Sequence, residues 1–125
     1  GSLAANSSGY FSIYSHLIYY NELGLTLNPG NTFFTVPANK TLLFIVMAKV
    51  VSDASTQSLY QITYSTPSSG NPTFYLSSDI QTPDTRTLIH LEQPQASPYN
   101  VIPIIYTYDG PVNSASITFW AMRLK

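Results

Sequence analysis

FTVPANKTLLFIVMAKVV, residues 34–51, joins a polar turn to the longest unbroken apolar run in the chain. Three readings of residues 42–48 compete: a membrane element, a helix, or a strand. Seven apolar residues fall well short of the roughly 20 that a membrane-spanning helix needs. A helix would carry Leu, Phe, Ile, Val and Met on every side, and Ile45, Val46, Val50 and Val51 are β-branched residues that fit a pleated surface better. The run therefore reads as a strand. Because it is continuous rather than alternating, both of its faces are expected to be covered, one by a partner sheet and the other by a loop or a neighbouring subunit.

The flanking residues have turn chemistry. Proline fixes φ in Val36-Pro37-Ala38-Asn39, and Asn tolerates the left-handed region. Outward from this stretch, strand signals recur every ten to fifteen residues, bounded by Pro, Gly, Asn or Ser: 10–20, 32–36, 41–51, 58–65, 73–77, 85–91, 100–108 and 115–124. The segment 10–20 reads as one long strand or as two joined by a bulge. Loops are expected at 21–31, 65–72, 79–85, 92–99 and 109–114. Nine prolines along the chain argue against helices, since an interior proline destabilises one by about 3 kcal/mol. The spacing predicts an all-β fold, an antiparallel β-sandwich of jelly-roll type with about eight strands.

Two more segments carry apolar side chains on both faces. In 115–124, Ile117, Phe119 and Ala121 oppose Thr118, Trp120, Met122 and Leu124. In 100–108, Val101, Ile105 and Thr107 oppose Ile102, Ile104, Tyr106 and Tyr108. Pro103 cannot donate to a ladder, which places it at an edge or bulge. Three strands with two apolar faces exceed what a lone sandwich needs, so a homo-oligomer is expected, a trimer first. The leading Gly1-Ser2 reads as a cloning remnant, and 3–125 as a single β-sandwich domain of the kind that forms the C-terminal head of a longer chain.

Composition narrows the chemistry. Of 125 residues only 9% are charged, against a usual quarter, while 14% are aromatic, with ten Tyr and six Phe. A surface covered mainly by hydroxyls and amides suits an extracellular or particle-bound setting. The net charge is −1 and the five cations are scattered, so the basic stripe of a nucleic-acid binder is missing. Zero Cys excludes disulfides, thiolate metal sites and cysteine nucleophiles. His16 and His90 have no ligand spacing with one another or with Asp53, Asp79, Asp84 or Asp109, and no GxSxG elbow or glycine-rich phosphate loop occurs. No cofactor, metal or catalytic residue is expected. Asn6-Ser7-Ser8 and Asn39-Lys40-Thr41 are sequons that matter only in a glycosylating host.

Tyrosine is the stronger signal, because its flat ring and hydroxyl suit sugars and protein surfaces while equally suiting a core. The candidate binding residues beside predicted loops are Tyr19, Tyr20, Tyr99 and Tyr108, with Asn21, Asn71, Asp84, Asn100 and Asp109 as polar partners.

The stretch TFFTVPANKTLLFIVMAKV, residues 32–50, resembles the opening hairpin of many virion and tail-fibre β-domains, where an aromatic strand runs through Val-Pro-Ala into a hydrophobic one. The low-charge, Tyr-rich composition with a Trp-bearing strand near the end is similar to trimeric fibre heads and jelly-roll attachment modules of viruses. This resemblance implies a non-catalytic virion attachment or structural module that binds a cell-surface glycan or protein receptor. A carbohydrate-binding module of a secreted protein and a pilin or adhesin subunit are the alternatives.

Overall fold

The computed structural model describes residues 2–10, 15–19, 24–30 and 32–124, with only the backbone described for 10 and 15–19. Among them no helix occurs; all regular structure is β. Eleven strands form in chain order: β1 (Ser8–Tyr10), β2 (Ser15–Tyr19), β3 (Thr26–Leu27), β4 (Phe34–Val36), β5 (Leu42–Ser52), β6 (Ser58–Thr63), β7 (Thr73–Ser78), β8 (Asp84–Glu92), β9 (Tyr99–Val101), β10 (Ile104–Thr107) and β11 (Val112–Arg123). They assemble into three sheets, here called A (β2-β11-β5-β8), B (β1-β10-β6-β7) and C (β3-β4-β9). All described pairings are antiparallel except β2 with β11, which is parallel. The result is an all-β sandwich of jelly-roll type, as the turn spacing predicts.

The deciding stretch is a strand, and its burial alternates. Leu42, Phe44, Val46, Ala48 and Val50 are fully buried, whereas Leu43, Ile45, Met47 and Val51 are half-buried and Lys49 is exposed. The continuous apolar run thus has one face sealed in the core and a second that neighbouring strands only partly shield. Asn39 adopts φ 63°, the left-handed conformation assigned to it from the turn sequence. Residues 37–41 carry the chain from sheet C to sheet A, so 32–50 is a corner between sheets rather than a paired hairpin.

Two predicted strands divide. The 10–20 segment contributes β1 to sheet B and β2 to sheet A, with 11–14 and 20 outside the described residues. The 100–108 segment breaks at Ile102-Pro103, where the missing N–H ends pairing: β9 stays in sheet C and β10 joins sheet B. With the two-residue β3, these splits account for eleven strands where about eight are predicted.

One hydrophobic cluster holds the three sheets together. Its aromatic centre is Phe119 of β11, whose ring lies 4.9 Å from Phe34 (sheet C), 5.0 Å from Tyr64 (beyond the end of β6) and 6.3 Å from Phe44, each edge-on. Near the other end, Tyr60 Oη donates to the Pro111 carbonyl at 2.7 Å and shares a hydrogen bond with Ser52 Oγ, so a buried phenol is satisfied twice. The segment before β1 is tied to the same region. Leu3 and Val112 exchange backbone bonds, and Ser7 donates to Thr107 Oγ1 at 2.8 Å.

Candidate functional site

The register of sheet B decides which side chains share its outer face. Ser8 pairs with Tyr106, Tyr106 with Gln61, and Gln61 with Tyr75, so two tyrosines flank one amide in a row across the strands. The next row holds Ile104, Thr63 and Thr73. Buried Tyr60, Ile62, Phe74, Leu76 and Ile105 point the opposite way, into the core. Period-2 geometry thus presents tyrosine, amide and hydroxyl groups outward from a rigid scaffold.

A cleft of about 410 Å³ runs over this face, lined by Gln61, Thr63, Thr73, Ile104 and Tyr106, with Ser65, Asn71, Ile102 and Tyr108 at its rim. Tyr108 Oη donates to Gln61 Oε1 at 2.8 Å, which fixes the amide and leaves its N–H₂ for a ligand. A second cleft of about 350 Å³ adjoins it, sharing Gln61 and Tyr108 and adding Leu59, Tyr75 and Arg86. Tyr75, on the edge strand β7, is 72% exposed and Leu59, on the neighbouring β6, 59%, which leaves an apolar patch open to solvent. Flat rings interleaved with amide and hydroxyl donors can stack on an apolar ligand face and bond to its hydroxyl groups.

The 65–72 loop borders the first cleft, and a buried polar cluster holds it in place. Glu92, 0% exposed, accepts hydrogen bonds at Oε2 from Ser68 Oγ (2.6 Å) and Ser69 Oγ (2.9 Å). His90 Nδ1 lies 3.0 Å from Ser69 Oγ, and its Nε2 is 2.6 Å from Tyr64 Oη. One assignment of protons satisfies these contacts: Tyr64 O–H to Nε2, Nδ1–H to Ser69 Oγ, and Ser69 O–H to Glu92. In that arrangement the imidazole donates to the serine, and Ser69, His90 and Glu92 together brace the 65–72 loop. Glu92 Oε1 and Tyr99 Oη are buried without a hydrogen-bond partner among the described residues. Burial, reinforced by Glu92, pushes the Tyr64 and Tyr99 phenols well up, so both keep their protons.

Burial also holds His90 below its ordinary value of 6.5, with Glu92 opposing. The unfolded chain therefore takes up this proton first as pH falls below 6.5. The stability contributed by neutral His90 is complete above that pH and is lost on descending towards the folded-state value. Urea midpoints measured at pH 7.5 and 5.5 are expected to fall more for the wild type than for His90→Gln. Equal falls would remove His90 as the cause.

The structure gathers some of the sequence-predicted binding residues and scatters others. Tyr108 and Asn71 line the first cleft. Asp109 lines neither cleft; its Oδ1 accepts from the Leu59 N–H at 2.9 Å, near the start of β6. Asp84 accepts the Ser77 N–H at 2.9 Å and sits beside Arg86 of the second cleft. Tyr99 and Asn100 belong to β9 in sheet C: the Tyr99 ring packs against the core, and Asn100 accepts from Thr35 Oγ1 at 2.7 Å. Tyr19 is in β2 with only its backbone described, and Tyr20 and Asn21 lie outside the described residues. Tyr75, Tyr106, Gln61 and Arg86 also line the clefts and are not among the residues singled out from the sequence. Alternation alone would have put Tyr75 and Gln61 on a face opposite Phe74, Ile62 and Leu76. The described residues contain no group of three His, Asp or Glu able to hold a metal.

No family model matches the sequence, and no curated protein matches it. Solved structures do. PRD1 vertex protein P5 superposes with a TM-score of 0.63 at 15% identity, covering 99% of this chain and 87% of that one. The globular domain of zebrafish complement 1qA gives 0.44 at 10% identity over 99% of this chain and 95% of that one. TmCBM61, solved in complex with β-1,4-galactotriose, gives 0.42 at 6% identity over 73% of this chain and 61% of that one. Over nearly its whole length, then, this chain is similar in fold to PRD1 vertex protein P5.

Proposed function

We propose that this chain is a non-catalytic attachment module of a virion surface that binds a host-surface glycan through the outer face of sheet B. The observation that carries the reading is the row Tyr106, Gln61, Tyr75, in which an amide is fixed between two tyrosines on an open cleft floor. Fold likeness to a vertex protein and a surface with only 9% charged residues support an extracellular, particle-bound setting.

The opposite side of the sandwich supplies the assembly surface. Across the outer face of sheet A, register sets Ile89, Ile45 and Trp120 in one row and Leu91, Leu43 and Met122 in the next. Ile89 is 64% exposed, and the two rows contain no charge. An uncharged apolar face is covered when copies of the chain pack together, and a homotrimer is the assembly we propose.

Two measurements test the proposal. In a glycan-binding titration, Tyr106→Ala and Tyr75→Ala are each expected to weaken binding about tenfold, since each removes one stacking surface. Affinity unchanged in both variants overturns the binding face. Light scattering is expected to report a trimer for the wild type and a monomer for Ile89→Lys, while a stable wild-type monomer at micromolar concentration overturns the assembly.

A further inference from the structure

The two clefts on sheet B differ in chemistry. The first is walled by hydroxyls and amides, whereas the second is an apolar floor of Leu59 and Tyr75 with a single cation, Arg86, on its wall. They meet at the Tyr108–Gln61 hydrogen bond, which forms a shared wall. A ligand spanning both would lie across the strands, with one end among neutral polar groups and the other beside a positive charge.

Arg86 is held ready for that ligand. Ser77 N–H donates to Asp84 Oδ2 at 2.9 Å, and the same oxygen accepts from Arg86 Nε at 3.3 Å. The carboxylate is fixed by backbone and in turn fixes the guanidinium. That bond uses Nε alone, so Nη1 and Nη2, which make no hydrogen bond among the described residues, remain as a parallel pair of donors. Such a pair matches the two oxygens of a carboxylate. Neither cleft contains a second cation.

We infer that the groove selects a saccharide bearing one carboxylate, seated with its acidic end at Arg86 and a neutral sugar over Gln61 and Tyr106. The inference rests on the glycan reading above and adds its charge and its direction. Tyr75 supplies the stacking surface for the acidic ring, and Asp84 is a positioning residue that keeps Arg86 against the wall.

Calorimetric titration of the wild type with a neutral hexose trisaccharide and its counterpart ending in one hexuronate tests this. The hexuronate is expected to bind about fivefold to tenfold more tightly at low salt, an advantage that shrinks as salt screens the pair. Arg86→Gln should abolish the preference by bringing hexuronate affinity down to that of the neutral sugar, and Tyr75→Ala should weaken both ligands. Equal binding of the two sugars by the wild type, or a preference that survives Arg86→Gln, overturns the inference and leaves the glycan reading standing. Binding of neither sugar overturns both.

Discussion

Phe119→Ala is expected to lower the unfolding free energy by about 3–5 kcal/mol. Three rings from different parts of the fold, Phe34, Phe44 and Tyr64, meet the Phe119 ring edge-on, so its removal opens a void bordered by all three sheets. The walls cannot close in, because each ring is carried on, or directly beyond, a strand paired within its own sheet. For a chain whose total stability is of the order of 5–15 kcal/mol, such a loss moves the urea midpoint far towards water. Phe119→Leu retains much of the volume and should lose less. A loss below about 1.5 kcal/mol in Phe119→Ala, read at unchanged urea dependence, would mean that the three sheets do not share one rigid centre.

Gly110→Ala is expected to be nearly as damaging, about 3 kcal/mol, for the opposite reason. Gly110 is buried and its φ is not positive, so the requirement is space and not backbone freedom. A Cβ here would lie 2.8 Å from both Ala54 Cβ and Ser58 Cβ, and closer still to Ser58 Oγ. Neither neighbour yields easily. Ser58 is within β6, and Ala54 is tied by its N–H to Ser52 Oγ and by its carbonyl to the Ile80 N–H. Ser58→Gly removes two of the three clashes, so the double variant should recover more than 1 kcal/mol relative to the sum of the single changes. Additive losses would place the damage elsewhere.

What the residues disclosed in advance was governed by how locally each feature is encoded. That 42–48 is a strand follows from length and β-branching, and Asn39 in the left-handed region follows from its turn; both depend on a handful of neighbours. The opposition of Ile117, Phe119 and Ala121 to Trp120 and Met122 is likewise legible, because side chains alternate. Which sheet a strand joins is not local. Nothing within 10–20 states that Tyr10 pairs with Ile104 while Ile18 pairs with Trp120, since those partners lie about a hundred residues away. The cleft face of sheet B was hidden for the same reason: Tyr75 and Tyr106 become neighbours of Gln61 only through pairings of β7 and β10 with β6. Tyr108 and Asn71, which line the first cleft, could be singled out because tyrosine or asparagine beside a loop is visible in one dimension. Tyr99, chosen on the same grounds, lies in sheet C away from the clefts, partly buried and packed against the core.

The place of β11 has a consequence for synthesis. Sheet A is ordered β2-β11-β5-β8, so residues 112–123 form an interior strand that joins β2 to the rest. While a ribosome is still making residue 111, β5 has paired with β8 at most, its other edge is open, and β2 has no strand to lie beside. Sheet A thus closes only after β3 to β10 have emerged. Until residues 112–123 follow, a nascent chain must keep the oily 42–51 segment from pairing with other nascent chains, and a product cut short before 112 would present that open edge permanently. Closure by β11 therefore acts as a check on this sheet: only a chain translated through these residues can pair both edges of β5.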